Sequence, residues 1–199
     1  LPLNPSLNFL VIGRGAKEIS KAAGGWSFTW QGTGTTNKDF PGATSIYEGL
    51  ELFVEKNNGT ISYSKKGKFT KTPDIAILVI GEDPYAEYQG SINSLEFLND
   101  DFEHLKVAKD LREKGVKVVY LFLSGRPMWV NRELNTSDAF VAAWLPGTEG
   151  HGIAEVLFGK TIEGEVTDFK GKLSFSWPNE ADASSLNRND SFYDPLFTY

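Results

Sequence analysis

A short acidic segment contains the residues best suited to proton transfer. Glu82, Asp83 and Glu87 lie within six residues, directly after a run of apolar residues. A carboxyl group can act as a general acid when a less polar environment raises its pKa, and the rings of Tyr85 and Tyr88 could provide that environment. The alternative is an acidic surface loop without catalytic function. Neither histidine lies near this segment in the sequence, and no spacing fits a ligand set. We therefore expect no metal site and no other cofactor.

A glycine-flanked segment, residues 24–32, contains Trp26 and Trp30. No amphipathic pattern continues from this pair, so a place in a core helix is difficult to assign. The flat face of an indole is a surface on which a sugar ring can stack, because the CH groups of the sugar contact the negative π face while its hydroxyls remain free to hydrogen-bond. The sequence leaves two interpretations open for these tryptophans, a carbohydrate platform or packing in the core.

Two further loops follow apolar runs. The loop that begins Gly13-x-Gly15 starts like a dinucleotide-binding turn but lacks the third glycine at the required spacing, so a tight turn between a strand and a helix is favoured. Ser124 lacks glycines two residues away on either side, which disfavours a serine hydrolase. Arg126 and Glu149 follow different apolar runs, and we expect them to form an ion pair across neighbouring strand ends.

The elements that position these loops can be predicted from hydrophobic periodicity. Continuous apolar runs predict buried strands at residues 8–13, 75–81, 116–123 and 139–144, with a weaker candidate at 173–177. Helical periodicity is found at residues 46–54 after a Ser45–Glu48 capping box, at 102–111 and at 150–158. This alternation predicts an α/β domain with a mainly parallel sheet flanked by helices on both faces, a three-layer α/β sandwich. In such a fold, ligands bind at the carboxyl ends of the strands.

Length and composition narrow the class of protein further. The 199 residues predict one domain over residues 1–199. The net charge of −6 disfavours nucleic acid and anionic membranes as partners and favours a neutral small molecule or a sugar. The absence of cysteine excludes disulfides and thiol catalysis. No apolar run reaches the roughly 18 residues of a membrane span, and the first residues have no features of a signal peptide.

Several segments together resemble the second domain of glycoside hydrolase family three, the β-glucosidases and β-glucan exohydrolases, and they occur in the order found in that family. The matching segments are residues 24–32, 81–87, 124–127, 142–150, 156–159, 171–173, 177–178 and 193–197. Residues 24–32 and 124–127 are most similar to the exohydrolase branch of plants and of marine or soil bacteria.

The resemblance implies a retaining enzyme that removes terminal β-D-glucosyl residues. Its N-terminal (β/α)-barrel domain would carry the nucleophilic aspartate, and this domain would provide the acid/base glutamate. By resemblance that glutamate is Glu87 rather than Glu82, and Trp30 is one side of an aromatic clamp around the leaving-group sugar. Trp26 is the second candidate for substrate binding. A β-glucoside or β-gluco-oligosaccharide is the expected substrate, and an extracellular or periplasmic location is implied.

The chain departs from the family pattern in two places. It lacks an earlier segment of the same domain and a terminal glycine-rich turn, so we expect it to be an excerpt of a larger enzyme and, by itself, inactive. Ser91 lies where relatives often carry an acidic residue. The alternative from a different functional class is a non-catalytic α/β module that binds nucleotide or carbohydrate.

Overall fold

The chain alternates strands and helices, and the computed structural model describes residues 1–98, 101–174, 176–182, 189 and 193–198. The strands are β1 (Asn8–Ile12), β2 (Thr60–Ser64), β3 (Ile75–Gly81), β4 (Lys117–Leu123), β5 (Ala139–Trp144), β6 (Trp177–Pro178) and β7 (Pro195–Phe197). The α-helices are α1 (Ile19–Ala23), α2 (Ile46–Lys56), α3 (His104–Glu113), α4 (Asn131–Asn135) and α5 (Gly150–Phe158). Short 3₁₀ turns occur at Arg14–Ala16 and Asn37–Asp39.

Strands β1 to β5 form one parallel sheet in the order β2-β1-β3-β4-β5, and β6 pairs antiparallel with β7. The chain moves from β1 outward to β2 and then returns to place β3 on the other side of β1. The strand order therefore reverses between β1 and β3. Open parallel sheets bind ligands in the crevice outside the carboxyl ends of the strands at such a reversal, which is where the loops after Ile12 and Gly81 meet.

Helices cover both faces of the sheet, as the sequence predicts. On one face, Leu50 of α2 and Leu157 of α5 belong to the same buried cluster as alternate residues of β1, β3 and β4. On the other face, Ala108 and Leu111 of α3 join the remaining residues of these strands. Full burial of one such leucine stabilises the fold by roughly 1.5–3 kcal/mol, so the two apolar layers hold the sheet in place. The predicted three-layer α/β architecture is confirmed.

The structure departs from the predicted elements at the margins of the sheet. Strand β2 was not predicted, because its sequence alternates polar and apolar residues in the manner of an edge strand. Strand β5 was expected to be buried on both faces, but all its residues are half-buried because it forms the opposite edge of the described sheet. The candidate strand at 173–177 reduces to Trp177–Pro178, and Phe175 lies outside the described residues.

Candidate functional site: an exposed glutamate beside two tryptophans

Hydrogen bonds between neighbouring strands continue into the loops at the carboxyl edge of the sheet. The amide of Glu82 donates to the carbonyl of Leu123 (2.9 Å), and the amide of Ser124 donates to the carbonyl of Trp144 (3.2 Å). The loops after β3 and β4 therefore begin at fixed positions beside each other. Side chains from both loops can meet at this edge.

Glu82 fixes the start of the acidic loop, defined as residues 82–90. One of its carboxylate oxygens, Oε2, accepts hydrogen bonds from the Ser124 hydroxyl (2.6 Å) and the Tyr85 hydroxyl (3.0 Å). The other, Oε1, accepts a hydrogen bond from Nε of Arg126 (3.0 Å) and forms an ion pair with Nη2 of the same guanidinium (2.8 Å). Burial, together with the negative charge of Glu82, raises the pKa of Tyr85 to about 12, so this phenol remains a donor. These bonds fasten the start of the loop to the sheet.

The predicted ion pair between Arg126 and Glu149 is wrong. Arg126 binds Glu82, whereas Glu149 pairs with His151 at 3.3 Å, two residues further along the chain. Strand β4 lies between β3 and β5, so the loop that contains Arg126 has a neighbour on each side, and its guanidinium turns to Glu82 in the loop after β3. The guanidinium also lies over the ring of Tyr85, 4.1 Å from its centroid, and so contacts the acidic loop a second time.

Asp83 is held by two cations from the segment after β1. The buried ammonium of Lys21 lies 2.7 Å from its Oδ1, and Arg14 Nη2 lies 3.0 Å from the same oxygen. Burial by itself would raise the pKa of Asp83, but the hydrogen bond and charge of Lys21, with the charge of Arg14, hold it below its ordinary value. Arg14 also contacts Asp101 at 2.5 Å, so the second carboxylate of the loop is part of an ionic network.

The Gly13-x-Gly15 segment is the tight turn that the sequence favours. Gly13 has a φ of 102°, and a Cβ at this position would lie 2.3 Å from the carbonyl oxygen of Val79 on β3. The glycine therefore permits close contact between the turn and the sheet. The helix that follows, α1, has only five residues, and the side chain of Arg14 occupies the turn with its carboxylate partners.

Glu87 differs from the other two carboxylates in its partners, which are neutral indole N–H groups rather than cations. Its Oε2 accepts hydrogen bonds from the indole N–H groups of Trp30 (2.7 Å) and Trp26 (3.0 Å). The structure thus brings together the three site residues that the sequence singled out, although Glu87 is more than fifty positions from either tryptophan in the chain. The two rings are tilted toward each other, with centroids 6.2 Å apart.

The expectation that tyrosine rings raise the pKa of a nearby acid is wrong for Glu87 in this chain. The hydrogen bond from Trp30, then the amide of Glu87 itself and the hydrogen bond from Trp26, hold the pKa of its carboxyl below the ordinary value. Tyr85 turns its hydroxyl to Glu82 instead, and Tyr88 is 80% exposed and contacts the edge of Trp30. Neither ring covers the carboxyl of Glu87.

The tryptophan loop, defined as residues 24–32, lies against the acidic loop through its backbone. A Cβ on Gly25 would lie 2.0 Å from the carbonyl oxygen of Tyr85, so only glycine allows this approach. Trp26 and Trp30 are 69% and 46% exposed, which identifies them as surface residues rather than core residues. Trp26 has a positive φ of 58°, a conformation that is uncommon outside glycine and directs its indole toward Glu87.

Gln31 is a site residue that sequence reasoning missed. Its Oε1 accepts a hydrogen bond from the amide of Ala86 (2.6 Å), and its Nε2 donates to the carbonyl of Glu87 (2.9 Å). A glutamine next to Trp30 gives no signal of this contact in one sequence, because the partners are backbone groups. The only available clue was its place inside the tryptophan loop.

The arrangement provides an exposed carboxylate beside two open aromatic faces. Such a carboxyl group can take a proton from water when ionised and give one to a leaving group when protonated, and indole faces can stack on a sugar. Among the described residues, no group of three or more His, Cys, Asp or Glu side chains is placed to hold a metal ion. The chemistry that this site can do is therefore proton transfer next to a carbohydrate-sized platform.

The fold and this edge of the sheet define a three-layer α/β domain that presents a carboxylate beside a carbohydrate-sized aromatic platform. The chain belongs to the glycosyl hydrolase family 3 C-terminal domain family, because the model of that family matches residues 1–199.

Three relatives support this assignment, one named as an exo-glucanase and two as beta-glucosidases. The chain is similar to the crystal structure of an exo-1,3/1,4-beta-glucanase (ExoP) from a Pseudoalteromonas species, with 55% identity and a TM-score of 0.92 over 100% of this chain and 25% of that one. It is 31% identical to a lysosomal beta glucosidase of Dictyostelium discoideum over 89% of this chain and 23% of that protein. A periplasmic beta-glucosidase of Salmonella typhimurium is 31% identical over 54% of this chain and 13% of its own length. The chain spans about a quarter of the first two relatives.

None of the helices formed by the described residues is both long enough and apolar enough to cross a bilayer.

Proposed function

We propose that this chain is the acid/base-bearing domain of a retaining, exo-acting β-glucosidase or β-glucan glucohydrolase. In this proposal Glu87 gives a proton to the departing sugar during glycosylation and removes one from water during deglycosylation. The nucleophilic aspartate is contributed by an N-terminal barrel domain outside these 199 residues. The family membership and the relatives named as beta-glucosidases and as an exo-glucanase support the class of reaction.

The choice of Glu87 rests on how the three carboxylates of the loop are engaged. Glu82 is held by three side chains, and Asp83 is held by Lys21 and Arg14. A general acid must carry a proton, and protonation of either group would weaken its ion pairs with these cations. Glu87 is exposed, and its Oε1 is free of any recorded protein donor among the described residues. Glu82 and Asp83 are paired with cations, whereas no described cation pairs with Glu87, and this difference is the observation that carries the assignment.

The two tryptophans support a sugar as the ligand. Trp30 donates its N–H to Glu87 while 46% of the side chain remains exposed, so a ring that stacks on it would lie next to the carboxyl. A proton donor must lie within hydrogen-bond reach of the glycosidic oxygen. We therefore assign Trp30 and Trp26 to the leaving-group side of a β-gluco-oligosaccharide.

Retention needs a nucleophile about 5–5.5 Å from the acid/base carboxyl. The carboxylates nearest to Glu87 in sequence, Glu82 and Asp83, are bound to cations and hydroxyls instead of facing it. We infer that the nucleophile comes from the partner domain and that the 199-residue chain does not hydrolyse an aryl β-glucoside by itself. Turnover by this chain with retained anomeric configuration would contradict the division of the site. Periplasmic and lysosomal relatives lead us to propose a location outside the cytoplasm.

Glu87→Gln in the full-length enzyme tests the acid/base role. We expect kcat/KM for cellobiose or laminaribiose to fall by about 10²–10⁴, the usual contribution of general acid catalysis. Glycosylation by an activated substrate such as 2,4-dinitrophenyl β-glucoside should slow far less, because that leaving group needs no proton. Addition of azide to Glu87→Ala should yield a β-glycosyl azide.

Glu113→Gln is the matched control, because Glu113 is an exposed glutamate at the end of α3, near the amino end of β4 and away from the site. It should retain the activity of the natural enzyme on both kinds of substrate. If Glu87→Gln loses no more than several-fold on cellobiose, Glu87 is not the acid/base.

A further inference from the structure

One side chain joins the backbone of the tryptophan loop to the backbone beside Glu87. The amide of Gln31 spans two consecutive residues of the acidic loop, with Oε1 accepting from the Ala86 N–H (2.6 Å) and Nε2 donating to the Glu87 carbonyl (2.9 Å). Both ends of the amide are therefore used, and its orientation is fixed because only the oxygen can accept and only the nitrogen can donate.

The backbone around Glu87 needs such a restraint. The acidic loop folds back on itself through the bonds Gln89 N–H to Glu87 carbonyl (3.0 Å) and Gly90 N–H to Ala86 carbonyl (2.8 Å), and Tyr88 has a positive φ of 74°. Those bonds shape the loop internally. Its attachment to the tryptophan loop comes from the Gln31 amide, from the indole bonds to the carboxylate and from backbone contact at Gly25.

The position of Gln31 in the chain couples the two parts of the proposed site. It directly follows Trp30, and the carbonyl of Trp30 accepts the amide of Trp26 at 2.9 Å, which closes the tryptophan loop. A displacement of the Glu87 backbone relative to the Trp30 ring would break one or both bonds of Gln31. The indole bonds to the carboxylate cannot replace this restraint, because they end on a side chain that can rotate.

We propose that Gln31 is a positioning residue that holds the carboxyl of Glu87 and the ring of Trp30 at the distance needed to protonate a sugar stacked on that ring. The inference rests on the proposed function, since it concerns the proton donor of the same site. Gln31 acts through the backbone and contacts neither substrate nor the reacting atoms. Its effect should therefore depend on how much a leaving group needs the proton.

Gln31→Met in the full-length enzyme tests the proposal, because methionine has a similar length and removes both hydrogen bonds. We expect kcat/KM for phenyl β-glucoside, a poor leaving group, to fall by on the order of 10–100-fold, as a small misplacement of a catalytic group can cost that much. The rate constant for glycosylation by 2,4-dinitrophenyl β-glucoside should fall by less than about threefold. A role in stability alone would lower both by the same factor.

Two further variants make every outcome informative. Gln31→Asn keeps a polar amide, but its side chain is one methylene too short to bond both Ala86 and Glu87. It should show the same selective loss, and it replaces Gln31→Met if that variant misfolds. Asp138→Asn is the stability control, because Asp138 bonds to Val118 N–H (2.9 Å) before β5, at the opposite edge of the sheet. It should affect both substrates equally.

The same substrates separate this inference from the proposed function. If Glu87→Gln is selective for poor leaving groups but both Gln31 variants lower the two substrates equally or not at all, the positioning role is refuted and the acid/base role stands. If Glu87→Gln is not selective either, the proposed function fails, and the positioning role fails with it. A selective loss in both positions supports both.

Discussion

Arg126→Met should destabilise the domain because it removes the cation that pairs with the largely buried carboxylate of Glu82. The Glu82 side chain is 12% exposed, and the Arg126 side chain is 21% exposed. Arg126 contacts Oε1 through a hydrogen bond from Nε and an ion pair with Nη2, and the other two hydrogen bonds to the carboxylate come from Ser124 and Tyr85 on Oε2. Removal of Arg126 also leaves the carbonyl of Gly90 without its donor at 2.6 Å.

The magnitude follows from the partial burial of this pair. Removing one partner of a fully buried ion pair costs about 3–5 kcal/mol, because the remaining charge is uncompensated. Glu82 retains two hydroxyl donors and a little contact with water, so we expect Arg126→Met to lower the free energy of unfolding by about 2–3 kcal/mol. An amide at position 82 carries no charge, so the double variant Glu82→Gln/Arg126→Met should lose less than Arg126→Met alone.

Urea denaturation of the 199-residue chain, followed by tryptophan fluorescence and circular dichroism, measures both values. Lys106→Met is the matched control, since its ion pair with Glu103 spans 3.7 Å between two highly exposed side chains and should contribute less than about 0.5 kcal/mol. The reasoning is refuted if Arg126→Met behaves like Lys106→Met. The single variant Glu82→Gln is measured as well. The reasoning is also refuted if Glu82→Gln lowers the free energy of unfolding by the same amount in the natural chain and in Arg126→Met, because the two side chains would then not interact.

Two other predictions concern the tryptophans and pH. In the full-length enzyme, Trp30→Ala should lower kcat/KM for oligosaccharides by a factor equivalent to roughly 1–3 kcal/mol and leave the melting temperature unchanged. Trp144 is half-buried and its ring lies 5.8 Å from that of Trp177, so Trp144→Ala should lower stability rather than change the kinetics. Kinetics and thermal melts with exchanged outcomes would contradict both roles. Burial alone would raise the pKa of Asp138, but bonds from Val118 N–H and Lys117 hold it below its ordinary value. Its stabilising effect should therefore be complete above the unfolded pKa of about 3.9 and disappear as pH falls through the folded value. Melts of Asp138→Asn and the natural chain should differ at pH 7 and converge near pH 2, and a constant difference would contradict the shift.

The central strands could be predicted because their residues are apolar on both faces. Strand β3 is buried from Ile75 to Gly81, and such a run is compatible with few other environments. Strand β2 (Thr60–Ser64) alternates polar and apolar residues and has only one weakly buried face. Its β-propensity alone therefore cannot separate it from a loop. The start of helix α2 could be predicted because Ser45 and Glu48 have the spacing of a capping box. The structure contains both hydrogen bonds of that box, from Ser45 N–H to the Glu48 carboxylate and from Glu48 N–H to the Ser45 hydroxyl.

The candidate site could be predicted as a group of loops but not as a set of contacts. The rule that ligands bind at the carboxyl ends of parallel strands brought residues 24–32 and 82–90 to one edge. Which cation would bind which carboxylate depends on how neighbouring loops and their side chains are arranged in space, and that arrangement is not encoded locally. The Gln31 bridge was missed for a related reason, since its partners are backbone groups whose positions follow from tertiary structure.

The state of Glu87 in this chain explains why the site needs a second domain under the proposed function. A general acid near neutral pH requires a raised pKa, whereas the N–H groups of Trp30 and Trp26 lower the pKa of Glu87 and stabilise its ionised form. That form suits the second half of a retaining reaction, in which the carboxylate takes a proton from water. The first half needs desolvation and a nearby negative charge, and none of the described residues covers the exposed carboxyl. A bound sugar and the nucleophilic aspartate of a barrel domain would supply both, so the two protonation states of Glu87 would be set by opposite sides of one shared cleft.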